Sequence, residues 1–176
     1  FRSVIEYQHG IIHDSHYGYF NNWVNSFSLP NKMVLFHKKA YELLIGSEFS
    51  KHVKIILKKD SFLSNYDSTE KFFDVCIIDT DPHRKTLLKL ANKLILNGNK
   101  VAYCLKSNLK INTINKSIYK SIAETYQTVL RSKLVIATTT TVVIECFENN
   151  IPVKVIDNKS RLFWLNYGYS IPLYND

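Results

Sequence analysis

From residue 73 onward the apolar residues follow two alternating rhythms. Phe73-Asp74-Val75-Cys76-Ile77-Ile78 is a short, apolar, β-branched run of the kind buried on both faces of a parallel sheet. It stops at Asp79-Thr80-Asp81-Pro82, where Asp81 suits a helix N-cap and Pro82 the first helical position. Leu87, Leu88, Ala91, Leu94 and Ile95 then recur at helical spacing until Gly98 ends the helix. A second strand is expected over Lys100–Leu105, and a polar loop or short helix over 106–118. Ile122, Tyr126, Val129 and Leu130 mark another helix. A third strand is expected at Leu134–Ala137, a helix over Thr141–Asn149 and a fourth strand at Val153–Ile156. Strands alternating with helices predict an α/β fold, a Rossmann-like parallel sheet with flanking helices and right-handed crossovers. Such sheets take ligands in the crevice beyond the carboxyl ends of their strands.

The first part of the chain is aromatic, His-rich and less regular. Val4–Tyr7 reads as a strand running into a Gln8-His9-Gly10 turn, Lys32–Phe36 as a second strand, and Lys38–Ile45 as a helix closed by Gly46. The polar, turn-prone stretch Ser64–Glu70 separates the two textures. The expected organisation is therefore the end of one α/β domain over 1–64, a linker over 65–72 and a ligand-binding domain over 73–176. The chain opens at Phe1 inside a strand-like stretch, so a preceding partner segment is expected.

Composition changes this picture little. Hydrophobic residues make up 45% of the 176, enough for a buried core. Twenty-three Lys and Arg against 15 Asp and Glu give a formal charge of +8. That favours phosphorylated small molecules, nucleic acid or an anionic membrane face without choosing among them. The tightest cluster, Lys51 to Lys59, alternates with Val53, Ile55 and Ile56 as a solvated strand face would. Cys76, Cys104 and Cys146 are widely spaced inside apolar runs. They fit buried free thiols in a reducing cytoplasm rather than a disulfide framework or zinc site. No stretch approaches the ~20 apolar residues of a membrane span.

The most informative segment is Ala137-Thr138-Thr139-Thr140-Thr141-Val142-Val143-Ile144-Glu145. A buried strand empties into four threonines and a helix begins there. Hydroxyls and free N–H groups then converge where the helix dipole favours anions, which suits a phosphate. Glu145 lies within the first two turns, where a carboxylate can accept hydrogen bonds from ribose hydroxyls. Helix-capping threonines with a solvated Glu145 would give the same spacing. The threonines are expected at the carboxyl edge, beside the end of the 100–105 strand. Thr80, in the turn after the first strand, joins them as a candidate ligand contact, and His83 and Arg84 follow in the first helical turn. His9, His13 and His16 fall within eight residues, but Gly10 and Gly18 interrupt the helix that an i, i+4 metal pair needs, so no metal is expected. His9, just past a strand and before a glycine, has the ordinary pKa of a general base near neutral pH. His16 and Asp14 are the next candidates. Tyr17, Tyr19, Phe20 and Trp23 form an aromatic group that suits either sugar stacking or a small core.

Two sets of residues resemble a known family. Thr138-Thr139-Thr140-Thr141, Glu145, Asn150-Ile151-Pro152-Val153 and Val155-Ile156-Asp157 together resemble the carboxy-terminal domain of GT-B glycosyltransferases. Glu6-Tyr7-Gln8-His9-Gly10, with His16, Gly18 and Tyr19, resembles the Gln-His-Gly segment of bacterial capsule and surface-polysaccharide transferases. The resemblance implies a nucleotide-sugar donor as substrate, no separate cofactor, and a glycan or lipid-linked acceptor on the 1–64 side. It implies His9, His16 or Asp14 as the base that deprotonates the acceptor. It also implies a cytoplasmic protein, with peripheral contact to an anionic membrane and no nucleic-acid partner. The sequence departs from the family at Cys104-Leu105-Lys106-Ser107, where such transferases often carry Lys-x-His-Pro, and here the positive charge falls on Lys106. A teichoic-acid-type polyol-phosphate transferase and a basic nucleic-acid-binding α/β domain are the alternatives.

Overall fold

The computed structural model describes residues 3–8, 10–13, 19, 29–58, 70–105, 119–121 and 125–175. The chain forms two compact units, Phe1–Ser61 and Phe62–Asp176. Both are α/β, with parallel sheets flanked by helices.

In the first unit, β1 (Ile5–Tyr7), β2 (Lys32–Leu35) and β3 (Lys54–Leu57) form a parallel sheet in the order β1-β2-β3. Helices α1 (Lys38–Ile45) and α2 (Phe49–His52) connect β2 to β3. Met33 and Leu35 point inward from β2 and join Ala40, Leu44, Phe49, Val53, Ile12 and Tyr19 in one apolar cluster. Gln8 is buried where β1 ends, and its side chain ties two turns together. Its Oε1 accepts the Phe36 N–H at 3.0 Å, and its Nε2 donates to the Gly10 carbonyl at 2.9 Å.

In the second unit five parallel strands stand in the order β6-β5-β4-β7-β8. They are β4 (Phe73–Ile78), β5 (Val101–Cys104), β6 (Tyr119–Ser121), β7 (Ser132–Ala137) and β8 (Val153–Val155). The first strand lies in the middle, the next two extend to one side and the last two to the other. This is the Rossmann-like winding. The expected 3.6-residue pattern after β4 forms α3 (Arg84–Leu96), entered through a 3-10 turn at Asp81–His83. Gly98 stops α3 at φ 82°, a left-handed conformation that glycine adopts without steric cost. Helices α4 (Thr125–Leu130), α5 (Thr141–Glu148) and α6 (Asn158–Tyr167) follow among the described residues.

Leu87, Ala91 and Leu94 of α3 cover Val75, Ile77, Val101, Tyr103 and Ile136 on one face of the sheet. The alternate residues Cys76, Ala102, Cys104, Val135 and Ala137 are buried too, so both faces are covered. Burying these apolar side chains is the dominant stabilising term, at about 25 cal/mol per Å² removed from water. Among the described residues no helix is long and apolar enough to cross a membrane.

Two expectations need correction. The threonines that follow β7 do not lie beside the end of the 100–105 strand, because β7 pairs with β4 and β8, and β4 separates it from β5. The sheet also has a fifth strand, β6, at its edge where a polar connection was expected to lead directly into a helix. A three-residue strand is too short for an alternating pattern to stand out in its sequence.

Candidate functional site

In a sheet wound this way successive connections leave β4 and β7 in opposite directions, and the edge beyond their carboxyl ends is where such sheets take ligands. The β4 end supplies Asp79 and Thr80, and the β7 end supplies Thr138, Thr139 and Thr140. The two loops touch: the Thr138 hydroxyl donates to Thr80 Oγ1 at 3.0 Å. Thr138 is buried, Thr80, Thr140 and Thr141 are half-buried, and Thr139 is exposed. Thr140 occupies the N-cap of α5 in extended conformation without a side-chain capping bond. The orphan N–H groups and dipole of the first turn of α5 therefore face this edge.

The loops are held from below. The Trp164 indole N–H donates to the Thr138 carbonyl at 2.9 Å, which fixes the β7 loop to α6. At the β4 end the Asp79 carboxylate is fully buried. It accepts from Arg84 Nε at 2.9 Å, from Arg84 Nη2 at 2.6 Å and from the Tyr103 hydroxyl at 3.0 Å. Arg84 Nη2 also donates to Asp81 Oδ1. Asp79 beside it holds the Arg84 guanidinium above its ordinary pKa. Burial, reinforced by the Asp79 charge, pushes the Tyr103 hydroxyl well up, so it remains a donor. The result fixes an arginine whose side chain is 23% exposed beside this edge.

A third loop reaches the same edge from β8. Asp157 caps α6, accepting the Ser160 N–H at 2.8 Å and the Ser160 hydroxyl at 2.9 Å. His83 Nδ1 of the β4 loop lies 3.9 Å from Asp157 Oδ2. The edge thus combines hydroxyl and N–H donors around α5 with carboxylate acceptors at Asp81 and Asp157. Such a mixture can hold a ligand that carries both phosphate oxygens and free hydroxyls.

The structure brings Thr80, Thr138, Thr139, Thr140 and Thr141 together. Glu145 belongs to the same helix but is fully buried, with none of its side chain at the open surface. His9, Asp14, His16 and Lys106 lie outside the described residues, as do Tyr17, Phe20 and Trp23. Tyr19, from the aromatic group, is a core residue: it packs edge-on against Phe49 at 5.3 Å, and its hydroxyl donates to Glu6 at 2.9 Å. Among the described residues no group of three His, Cys, Asp or Glu side chains is placed to hold a metal ion.

Sequence reasoning missed the Asp79–Tyr103 contact and the Trp164 anchor. Asp79 did carry a signal, since a carboxylate directly after a doubly buried strand, with an arginine five residues on, is a recognisable pairing. Tyr103 and Trp164 carried none, because an aromatic residue in an apolar run looks the same whether or not its polar atom has a task. No protein-family model, no curated protein and no solved structure matches the chain.

Proposed function

We propose that the second unit binds the nucleotide of a nucleotide-sugar donor, and that the chain is part of a GT-B-type glycosyltransferase acting on a bacterial surface polysaccharide or a lipid-linked acceptor. The observation that carries this reading is the junction of the β4 and β7 ends, where Thr80 and Thr138 meet at the switch point beside the start of α5. The diphosphate belongs with Thr139, Thr140 and Thr141, where helix dipole and hydroxyls favour an anion. The acceptors at the same edge, Asp81 and Asp157, suit ribose or sugar hydroxyls. Glu145 stands beneath the threonines, and its effect on the ligand passes through the position of α5. In this reading transfer needs a base on the acceptor side, the role proposed for His9, with His16 and Asp14 next in line.

The test is calorimetric titration with UDP-, GDP-, CMP- and CDP-linked donors, on the wild type and on Thr139→Val/Thr140→Val. One nucleotide class should bind, and the double variant should weaken it by about 3–6 kcal/mol, two hydrogen bonds to a charged group at about 1.5–3 kcal/mol each. No binding by any donor, or binding unchanged in the variant, sinks the reading.

A further inference from the structure

Helix α3 carries more positive charge than any other described element of the second unit. Its thirteen residues include Arg84, Lys85, Lys89 and Lys93 and no acidic residue. Arg84 is taken up by Asp79 and Asp81. The three lysines are exposed and spaced by four, so they stand in one row along the outer face. The row is about 12 Å long at the helical rise per residue. Neither Lys85 nor Lys89 pairs with an acidic group among the described residues. Like charges at this spacing repel each other. Lys85 and Lys89 therefore carry a mutual repulsion that an external anion would relieve.

Beside the row lies a groove of about 260 Å³, lined by Thr86, Lys89, Leu90, Lys93, Ile156 and Tyr174. Its floor is apolar and its rim is cationic. Lys154 adds a further ammonium 5.9 Å over the Tyr174 ring. At the end of the helix Leu96 projects into solvent, 84% exposed. The row is longer than one phosphate group, it runs along a convex helix, and an exposed leucine ends it. An extended surface of phosphates with an apolar layer behind them matches all three features. A nucleic acid would match the charge but leave Leu96 and the apolar floor without a role, and Tyr174, the aromatic of this groove, already has an ammonium over it.

We propose that this face of the second unit docks on an anionic lipid surface, with Lys85, Lys89, Lys93 and Lys154 over headgroup phosphates and Leu96 against the acyl boundary. The proposal stands whether or not the second unit binds a nucleotide.

The test is co-sedimentation of the whole chain with phosphatidylcholine vesicles, with and without phosphatidylglycerol. Binding is expected only when phosphatidylglycerol is present. Each basic residue near such a surface contributes a factor of about five, so Lys85→Gln/Lys89→Gln/Lys93→Gln should lower partitioning about 100-fold. Leu96→Ser should lower it further. Removing three exposed lysines of the first unit instead (Lys38→Gln/Lys54→Gln/Lys58→Gln) should leave most of the binding. Thermal melts confirm that each variant is folded, and donor titrations on the same proteins report nucleotide binding separately. The proposal is overturned if the wild type ignores phosphatidylglycerol or if the first-unit variant loses as much binding. Binding of a single-stranded oligonucleotide through the α3 row in place of vesicles also overturns it.

Discussion

Substituting Asn for Asp79 preserves the side chain's shape while removing its charge and replacing one acceptor oxygen with a donor. In the wild type this carboxylate has no solvent exposure and takes three donors, Arg84 Nε, Arg84 Nη2 and the Tyr103 hydroxyl. A hydrogen bond to a charged group is worth about 1.5–3 kcal/mol net, and breaking a buried ion pair costs about 3–5. Arg84 is partly exposed and retains Asp81, so part of the loss is recovered by water and by that second carboxylate. The expected destabilisation is therefore about 2–4 kcal/mol. Urea unfolding followed by Trp164 fluorescence measures it, in a Trp23→Phe background because the chain has two tryptophans. Trp164 is buried in the second unit, so its signal reports that unit. Tyr103→Phe closes a double-mutant cycle: the double variant should lose at least about 0.5 kcal/mol less than the sum of the singles. A cost for Asp79→Asn below about 0.5 kcal/mol, or full additivity, would refute the claim that this carboxylate organises the β4 end of the site.

Burial pushes the Cys146 thiol up to about 12, and Cys76, against Cys104 with 3.6 Å between their sulfurs, is also held well above its ordinary value. All three thiols are buried, so an aromatic disulfide reagent at neutral pH should label none of them in the folded chain and all three in urea. Because these folded-state values lie above the unfolded one, the thiols' contribution to stability is complete below about pH 8.5 and declines as pH rises toward 12. An alkaline titration of the urea midpoint, compared with Cys146→Ala, checks the sign. Asp157→Ala removes the cap from α6 and should cost about 0.5–2 kcal/mol in the same unfolding assay. If the proposed glycosyl transfer holds, His9→Ala should lower its turnover about 10²–10⁴-fold with donor affinity unchanged, and unchanged turnover would remove His9 as the base.

Much of the second unit was legible because its strands are buried on both faces and its longest helix is amphipathic. The run Phe73–Ile78 and the spacing of Leu87, Ala91 and Leu94 are direct consequences of which side chains leave water. The same logic explains the failures. Five consecutive residues of α5, Val142 to Cys146, are buried, so the helix has no polar face from which to infer where Glu145 points. Spacing placed Glu145 near the threonines but could not distinguish a carboxylate facing a ligand from one enclosed by the helix's neighbours. In α6 the buried residues Ser160, Trp164 and Tyr167 are too few and too mixed in polarity to announce a helix, though Asp157 before it and Gly168 after it are ordinary start and stop signals.

Strand order was the most consequential thing that local pattern could not supply. Every strand of the second unit except β6 was anticipated, yet the threonines were expected beside β5 rather than β4. Pairing depends on which crossovers the helices permit, and a doubly buried strand looks the same in sequence at any interior position. The corrected order strengthens the reading of the site. Beside β5, the threonines would have sat next to strands wound in one direction, with a helix covering the gap. Beside β4, they face the place where successive crossovers go to opposite sides of the sheet and leave the edge uncovered. The Thr138–Thr80 hydrogen bond spans that gap, and the Asp79–Arg84 pair and the Trp164 anchor hold its two sides from different elements. A ligand entering there meets positions already set by buried contacts. If a ligand binds there as proposed, it need not order the loops first, and the entropy that such ordering would cost would be retained as affinity.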